Sequence, residues 1–178
     1  ITQEEWKRID RASEWQAKDF YVMDKSDASP NDIKHRAKQI QLTSGLDLIV
    51  IDYLQLMSAD YAKPSDRLAA VTEISRSLKN LAQELDVPVI ALSQLNRGVE
   101  ARTDKRPMLS DLRDSGSIEQ DADSAMFLYR DKYYNPESGD SHTELIVSKN
   151  RHGARPTVNL FFKEATTEFV NIYQEGKR

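Results

Sequence analysis

The sequence contains no cysteine, and its 178 residues include only three histidines, six glycines and six prolines. Without cysteine there can be neither disulfides nor thiolate zinc sites. Histidines at 35, 142 and 152 are too few and too scattered for an imidazole metal cluster. No apolar run approaches the ~18 residues needed to cross a bilayer, and the opening ITQEEWKRID lacks the apolar centre of a signal peptide. These absences lead to the expectation of a soluble, intracellular chain with no membrane partner. Charge of one sign is lacking too: 25 Lys and Arg stand against 29 Asp and Glu, a net charge of -4. Wholesale electrostatic attraction to a polyanion is therefore excluded, and only local basic patches are left. The glycines, at 45, 98, 116, 139, 153 and 176, never form G-x-x-x-x-G-K-[ST], the loop that wraps phosphates in backbone N–H groups.

What is present fits one globular domain. Hydrophobic residues make up 39% and charged residues 30%, a balance that can support a single core. Thr2 and Glu5 have capping-box spacing, and Trp6, Ile9, Ala12 and Trp15 follow at helical intervals, which predicts a first helix packed through its tryptophans. After a strand-like DFYVMD (19–24), Ser29, Pro30 and Asp32 start a second helix with Ile33, Ala37 and Ile40 on its apolar face. Gly45 stops it. Residues 46–52 read as a buried strand, Leu68 to Leu85 as an amphipathic helix, and VPVIALSQ (87–94) as a second buried strand. Strand, helix and strand in that order predict a crossover onto a parallel sheet. From Leu95 to Asp123 the periodicity fades into a long loop region with short helices. SAMFLYR, TELIVSKN, TVNLFFKE and EFVNI then read as four strands, with NRHGAR as the turn between the middle two.

Asp52 and Gln94 end the two buried strands. In an open α/β sheet, ligands bind beyond the carboxyl ends of the strands. A carboxylate there can hold Mg²⁺ through water, and a neighbouring amide can bond a terminal phosphate. Asp52 can equally cap the next turn, and Gln94 can be an exit-loop residue. Two basic patches stand out as well. One is DKRPMLSDLRDSG, with Lys105, Arg106, Arg113 and Gly116; the other is the turn with Lys149, Arg151 and Arg155. Arginine, lysine and glycine are what a sequence-independent grip on a phosphate backbone requires, though a solvated charged loop has the same composition.

Four strings carry more than any one of these features: VIDYLQLM (50–57), EISRSLKNLAQELDVPVIALSQLNRGVEAR (73–102), DKRPMLSDLRDSGSIEQDAD (104–123) and SKNRHG (148–153). In order and spacing they resemble the motifs of DnaB-type bacterial replicative DNA helicases. That resemblance implies a RecA-like α/β fold, with a mostly parallel central sheet flanked by helices and a C-terminal antiparallel hairpin. Residues 1–178 would form a partial motor domain. In the family the motor is a hexameric ring that hydrolyses ATP with Mg²⁺ at subunit interfaces and moves 5′ to 3′ on single-stranded DNA in the bacterial cytoplasm. Primase and a helicase loader are its implied partners.

By resemblance, Asp52 is the Walker B aspartate that holds Mg²⁺, and Gln94 is the sensor of the γ-phosphate. Arg113, Asp114 and Gly116 fall on the DNA-contacting loop, and Lys149 and Arg151 on positions that act across the subunit boundary. Asp114 stands where the family usually has glutamate, and His152 where it commonly has asparagine. The family's phosphate loop and catalytic glutamate precede the residues present. The resemblance therefore implies the C-terminal part of a motor, not expected to hydrolyse ATP by itself. A RecA/RadA-type recombination ATPase shares the strand-end Asp, and a non-catalytic DNA-binding or ring-interaction module would need no phosphate loop; both remain open on sequence alone.

Overall fold

Two capping boxes open the first two helices. In the computed structural model, which describes residues 2–13, 20–63, 65–138 and 142–172, the Thr2 N–H donates to Glu5 Oε2 at 2.6 Å and the Glu5 N–H to Thr2 Oγ1 at 3.3 Å. They begin α1 (Gln3–Ser13). Trp6, however, is 59% exposed, so it does not pack α1 as its spacing predicts; Trp15 lies outside the described residues. The sequence QEEWKRIDRAS is largely charged and offers too narrow an apolar stripe to hold the helix against a core. Residues 20–25 form no strand, and Phe20 and Val22 are exposed. A strand requires a ladder partner, and among the described residues this segment has none.

The second cap behaves as its spacing predicts. Ser29 Oγ accepts the Asp32 N–H at 3.3 Å, and Asp32 Oδ2 accepts the Ser29 N–H at 3.0 Å, opening α2 (Pro30–Thr43). The Lys25 ammonium at 2.6 Å, together with that backbone N–H, holds the Asp32 carboxyl down at about 2, so the cap is fully charged at neutral pH. Past the helix end Gly45 has φ +84°, a left-handed conformation that glycine adopts without a Cβ clash.

The core is built where α3 (Arg67–Leu85) lies on β1 (Ile49–Ile51) and β2 (Val89–Ala91). Val71, Ile74, Leu78, Leu81 and Leu85 recur every three or four residues and are buried, and Ala37, Ile51, Leu54 and Val87 meet this stripe. Glu73, on α3, fixes the loop beside it. Its carboxylate accepts the N–H groups of Asp60, Tyr61 and Ala62 at 2.7, 3.0 and 2.7 Å. β1 and β2 pair in parallel, as the order of strand, helix and strand requires. Their second face is open among the described residues, with Val50 57% and Ile90 53% exposed.

Beyond these come α4 (Gly116–Asp121) and a four-stranded antiparallel sheet in the order β3 (Ser124–Arg130), β4 (His142–Asn150), β5 (Thr157–Lys163) and β6 (Glu168–Asn171). The fold is α/β with a parallel and an antiparallel sheet. The antiparallel part is a meander of four strands, larger than a hairpin, because each strand pairs with the next one in the chain. Phe127 and Tyr129 are buried on one of its faces, and the Arg106 guanidinium stands 4.8 Å from the Tyr129 ring on that side. Among the described residues, no helix is long and apolar enough to cross a membrane.

Candidate functional site

The parallel pairing of β1 and β2 sets the first part of the site. Ile51 is in register with Ala91, so Asp52, one residue on, and Gln94, three residues on, leave the sheet at the same edge. Both are exposed. The Asp52 side chain makes no hydrogen bond or ion pair to another described residue, and the peptide bond that follows it is cis. An acid that served as a turn cap would accept a backbone N–H nearby; this one accepts none.

Gln94 is supported through its main chain by Gln55. The Gln94 N–H donates to Gln55 Oε1 at 3.1 Å, while Gln55 Nε2 donates to Ser93 Oγ at 3.0 Å and to the Gln94 carbonyl at 3.4 Å. A single amide thus ties the turn after Asp52 to the strand end that carries Gln94. Sequence reasoning missed Gln55, since nothing in its spacing distinguishes it from any polar turn residue.

The second part lies in the segment from 97 to 121. Of two 3₁₀ turns, Arg97–Ala101 and Leu109–Ser115, the second leads directly into α4. The side chains of Arg113 and Asp114 lie outside the described residues. Gly116 is exposed, and apart from its own helix backbone and chain neighbours a Cβ there would meet nothing within 4 Å. Its backbone is ordinary right-handed helix, which any residue can adopt.

Beneath these turns is a clamp. Arg102 donates from Nη1 to Asp111 Oδ1 at 3.0 Å and from Nη2 to Asp111 Oδ2 at 2.7 Å, and also reaches the Arg106 carbonyl at 2.9 Å. Asp111 further accepts the Met108 N–H at 2.9 Å, and its carbonyl accepts the Asn96 N–H at 2.9 Å. The Asp111 side chain is only 9% exposed. Replacing it by alanine would leave a guanidinium without its bidentate partner in a mostly dry setting, a loss of about 3 kcal/mol. Asp111→Ala is therefore expected to lower unfolding stability by that amount in chemical denaturation; a change under about 1 kcal/mol would mean that water replaces the carboxylate at no cost.

Arg106 and Lys105, read from sequence as solvated loop charges, have partners. Arg106 Nη2 is 2.6 Å from Glu144 Oε1 on β4, a pairing that pushes the arginine up and holds the Glu144 carboxyl below its usual range. The Lys105 ammonium sits 4.9 Å from the Tyr134 ring.

The third part is the turn after β4. Asn150 Oδ1 accepts the His152 N–H at 3.3 Å and its Nδ2 donates to the Ala154 carbonyl at 3.0 Å, closing the turn from inside. Gly153 leaves room for that amide, since a Cβ there would come within 2.9 Å of Asn150 Nδ2. His152 is a turn residue. Lys149 Nζ donates to the Glu119 carbonyl at 2.5 Å and to that of Gln120 at 3.4 Å, and Arg151 Nη1 donates to Asp123 Oδ1 at 3.0 Å.

The structure thus brings Asp52 to the same edge as Gln94, and Lys149 to the same α4 terminus as Arg151. Among the described residues, no hydrogen bond or ion pair joins the two sets. Asp123, like Gln55, carried no sequence signal as a partner.

Comparison with known proteins bears on what these parts do. The family model described as DnaB-like helicase C terminal domain matches residues 1–171. The chain is 48% identical over 174 residues to the replicative DNA helicase DnaB of Geobacillus stearothermophilus, covering 97% of this chain and 38% of that relative. It is 45% identical, with the same two coverages, to the replicative DNA helicase DnaC of Bacillus subtilis (strain 168). The chain thus spans 38% of the length of these curated relatives. Among solved structures, it resembles an ATPase domain with a TM-score of 0.90 and 45% identity, over 97% of this chain and 62% of that one. A DnaB-like replicative helicase, solved together with its interactions with primase, aligns with a TM-score of 0.88 and 45% identity over 97% and 42% of the two chains.

Proposed function

The chain belongs to the family of DnaB-like helicase C-terminal domains, and from that membership we propose that residues 1–178 are part of the RecA-like motor of an ATP-dependent replicative DNA helicase. The observation that carries this reading is the parallel pairing of β1 and β2, which puts Asp52 and Gln94 at one strand-end edge. An unpartnered carboxylate beside an amide supported from behind is suited to a nucleotide's metal and terminal phosphate. Asp52 fits magnesium: a single exposed carboxylate would supply one oxygen, and the others would come from phosphate and water, as Mg²⁺ prefers. When bound, the ion neutralises charge on the phosphates.

Asp52 orients that ion, and Gln94 bonds the γ-phosphate or the attacking water. Lys149 and Arg151 act in trans on a neighbouring subunit's ATP within a hexamer. Arg113 and Gly116 contact single-stranded DNA along its backbone, with Asp114 beside them. No G-x-x-x-x-G-K-[ST] loop occurs in these 178 residues, and by this reading they do not hydrolyse ATP by themselves. Movement is 5′ to 3′, and primase and a helicase loader are the partners in the bacterial or phage-infected cytoplasm. The relatives named above are replicative helicases, which favours this reading over a recombination ATPase.

Strand displacement by the full-length protein on a forked duplex tests the proposal. Unwinding that requires ATP, Mg²⁺ and a 5′ single-stranded tail is the expected result. Tight binding to single-stranded DNA with no nucleotide turnover would instead assign the chain to a non-catalytic binding module.

A further inference from the structure

We infer that Asp123 is a positioning residue for Arg151, tying it to the C-terminal end of the segment that runs from Leu109 through α4. The inference rests on the proposed action of Arg151 at a neighbouring subunit's nucleotide, and adds where the arginine takes its orientation. Asp123 directly follows α4 and its connecting Ala122. Its Oδ2 accepts the Lys79 ammonium from α3, and its Oδ1 accepts Arg151 Nη1 at 3.0 Å. The carboxylate is thus fixed from the core side and holds the arginine with its other oxygen. Lys79, and after it Arg151 and His152, keep the Asp123 carboxyl below its usual range, so it stays charged.

The main chain repeats the connection. The Arg151 N–H donates to the Asp123 carbonyl at 2.9 Å, and Arg151 Nη2 approaches the Gln120 carbonyl at 3.4 Å. With Lys149 on the Glu119 carbonyl, the whole turn rides on the end of α4. A guanidinium has five N–H groups, and the side-chain bonds of Arg151 to Asp123 and Gln120 use one from each terminal nitrogen. The side chain remains 48% exposed, so donors are left for a phosphate. A pair this exposed adds little to folding stability. What it supplies is direction, as a carboxylate behind a metal-bound histidine does, where its removal costs roughly 10- to 100-fold.

The test uses the full-length protein with saturating single-stranded DNA. Asp123→Asn should lower kcat for ATP roughly tenfold with KM unchanged, and Asp123→Glu, which keeps the charge, should recover part of the loss. In an Arg151→Ala background, measured by single turnover, Asp123→Asn should have no further effect. If the asparagine chain does not form rings, Asp123→Ser replaces it with the same readouts. An undiminished effect in the Arg151→Ala background, an unchanged kcat, or a raised kcat would each overturn the inference. Mixed rings in which Arg151→Ala fails only in cis would remove the trans reading alone, leaving the coupling of the two residues to be judged by the double variant.

Discussion

Asp52→Asn in the full-length protein is expected to abolish ATP turnover at the site carrying the substitution, with nucleotide binding largely retained. The magnitude follows from what a correctly held metal contributes to phosphoryl transfer, several kcal/mol of charge stabilisation. At ~1.4 kcal/mol per decade, losing about 3 kcal/mol of that is a hundredfold or more. The substitution is also clean. Because the Asp52 carboxylate has no partner among the described residues and is exposed, the isosteric amide removes one charge and no fold contact. Thermal unfolding should therefore be unchanged while steady-state hydrolysis collapses. Hydrolysis at the normal rate would show that Asp52 does not hold the metal, and that its position at the strand end is incidental.

Arg151→Ala should have an effect as large but in a different place. An arginine finger contributes ~10³ to 10⁵ to the rate at the nucleotide it reaches. In homogeneous rings the loss should approach that range. In rings mixed with wild-type subunits, a variant subunit should recover turnover when the neighbour facing its nucleotide supplies an intact arginine. Titrating Arg151→Ala subunits against Asp52→Asn subunits and reading ATP hydrolysis against the fraction mixed separates the two geometries. Strictly proportional loss with no recovery in a doubly marked ring, Asp52→Asn in one subunit and Arg151→Ala in the next, would place the arginine in cis. Within its own chain Arg151 is joined to Asp123 and to the α4 terminus.

Local chemistry explains which parts of this could be read from sequence. Ser29 and Asp32 form a cap whose partners are three residues apart, and the stripe from Val71 to Leu85 repeats with the period of a helix. The strand segments at 124, 143, 157 and 168 were legible because each is a short run rich in aromatic or β-branched residues. The strand-end pair was legible for a related reason, since the order of strand, helix and strand dictates parallel pairing.

The illegible parts are contacts between residues far apart in the chain. Gln55 reaches Gln94 across 39 positions, Lys79 reaches Asp123 across 44 and Arg151 reaches Asp123 across 28. Each is an ordinary polar residue until folding brings its partner near. DFYVMD shows the opposite failure: its composition suits a strand, yet strand formation depends on a neighbour that no local pattern encodes. Trp6 fails similarly, because helical spacing states which face a residue occupies and not what covers it.

The Arg102–Asp111 clamp underlies two regions of the chain at once. Through the carbonyl of one residue and its carboxylate, the chain just after Gln94 and the turn that carries Arg113 share a foundation. Alleles at Asp111 would therefore resist sorting into a nucleotide class and a DNA class. They would form a single pleiotropic group, deficient in both phenotypes together, and intragenic suppressors would be found first at position 102 and next among the residues that pack beneath it.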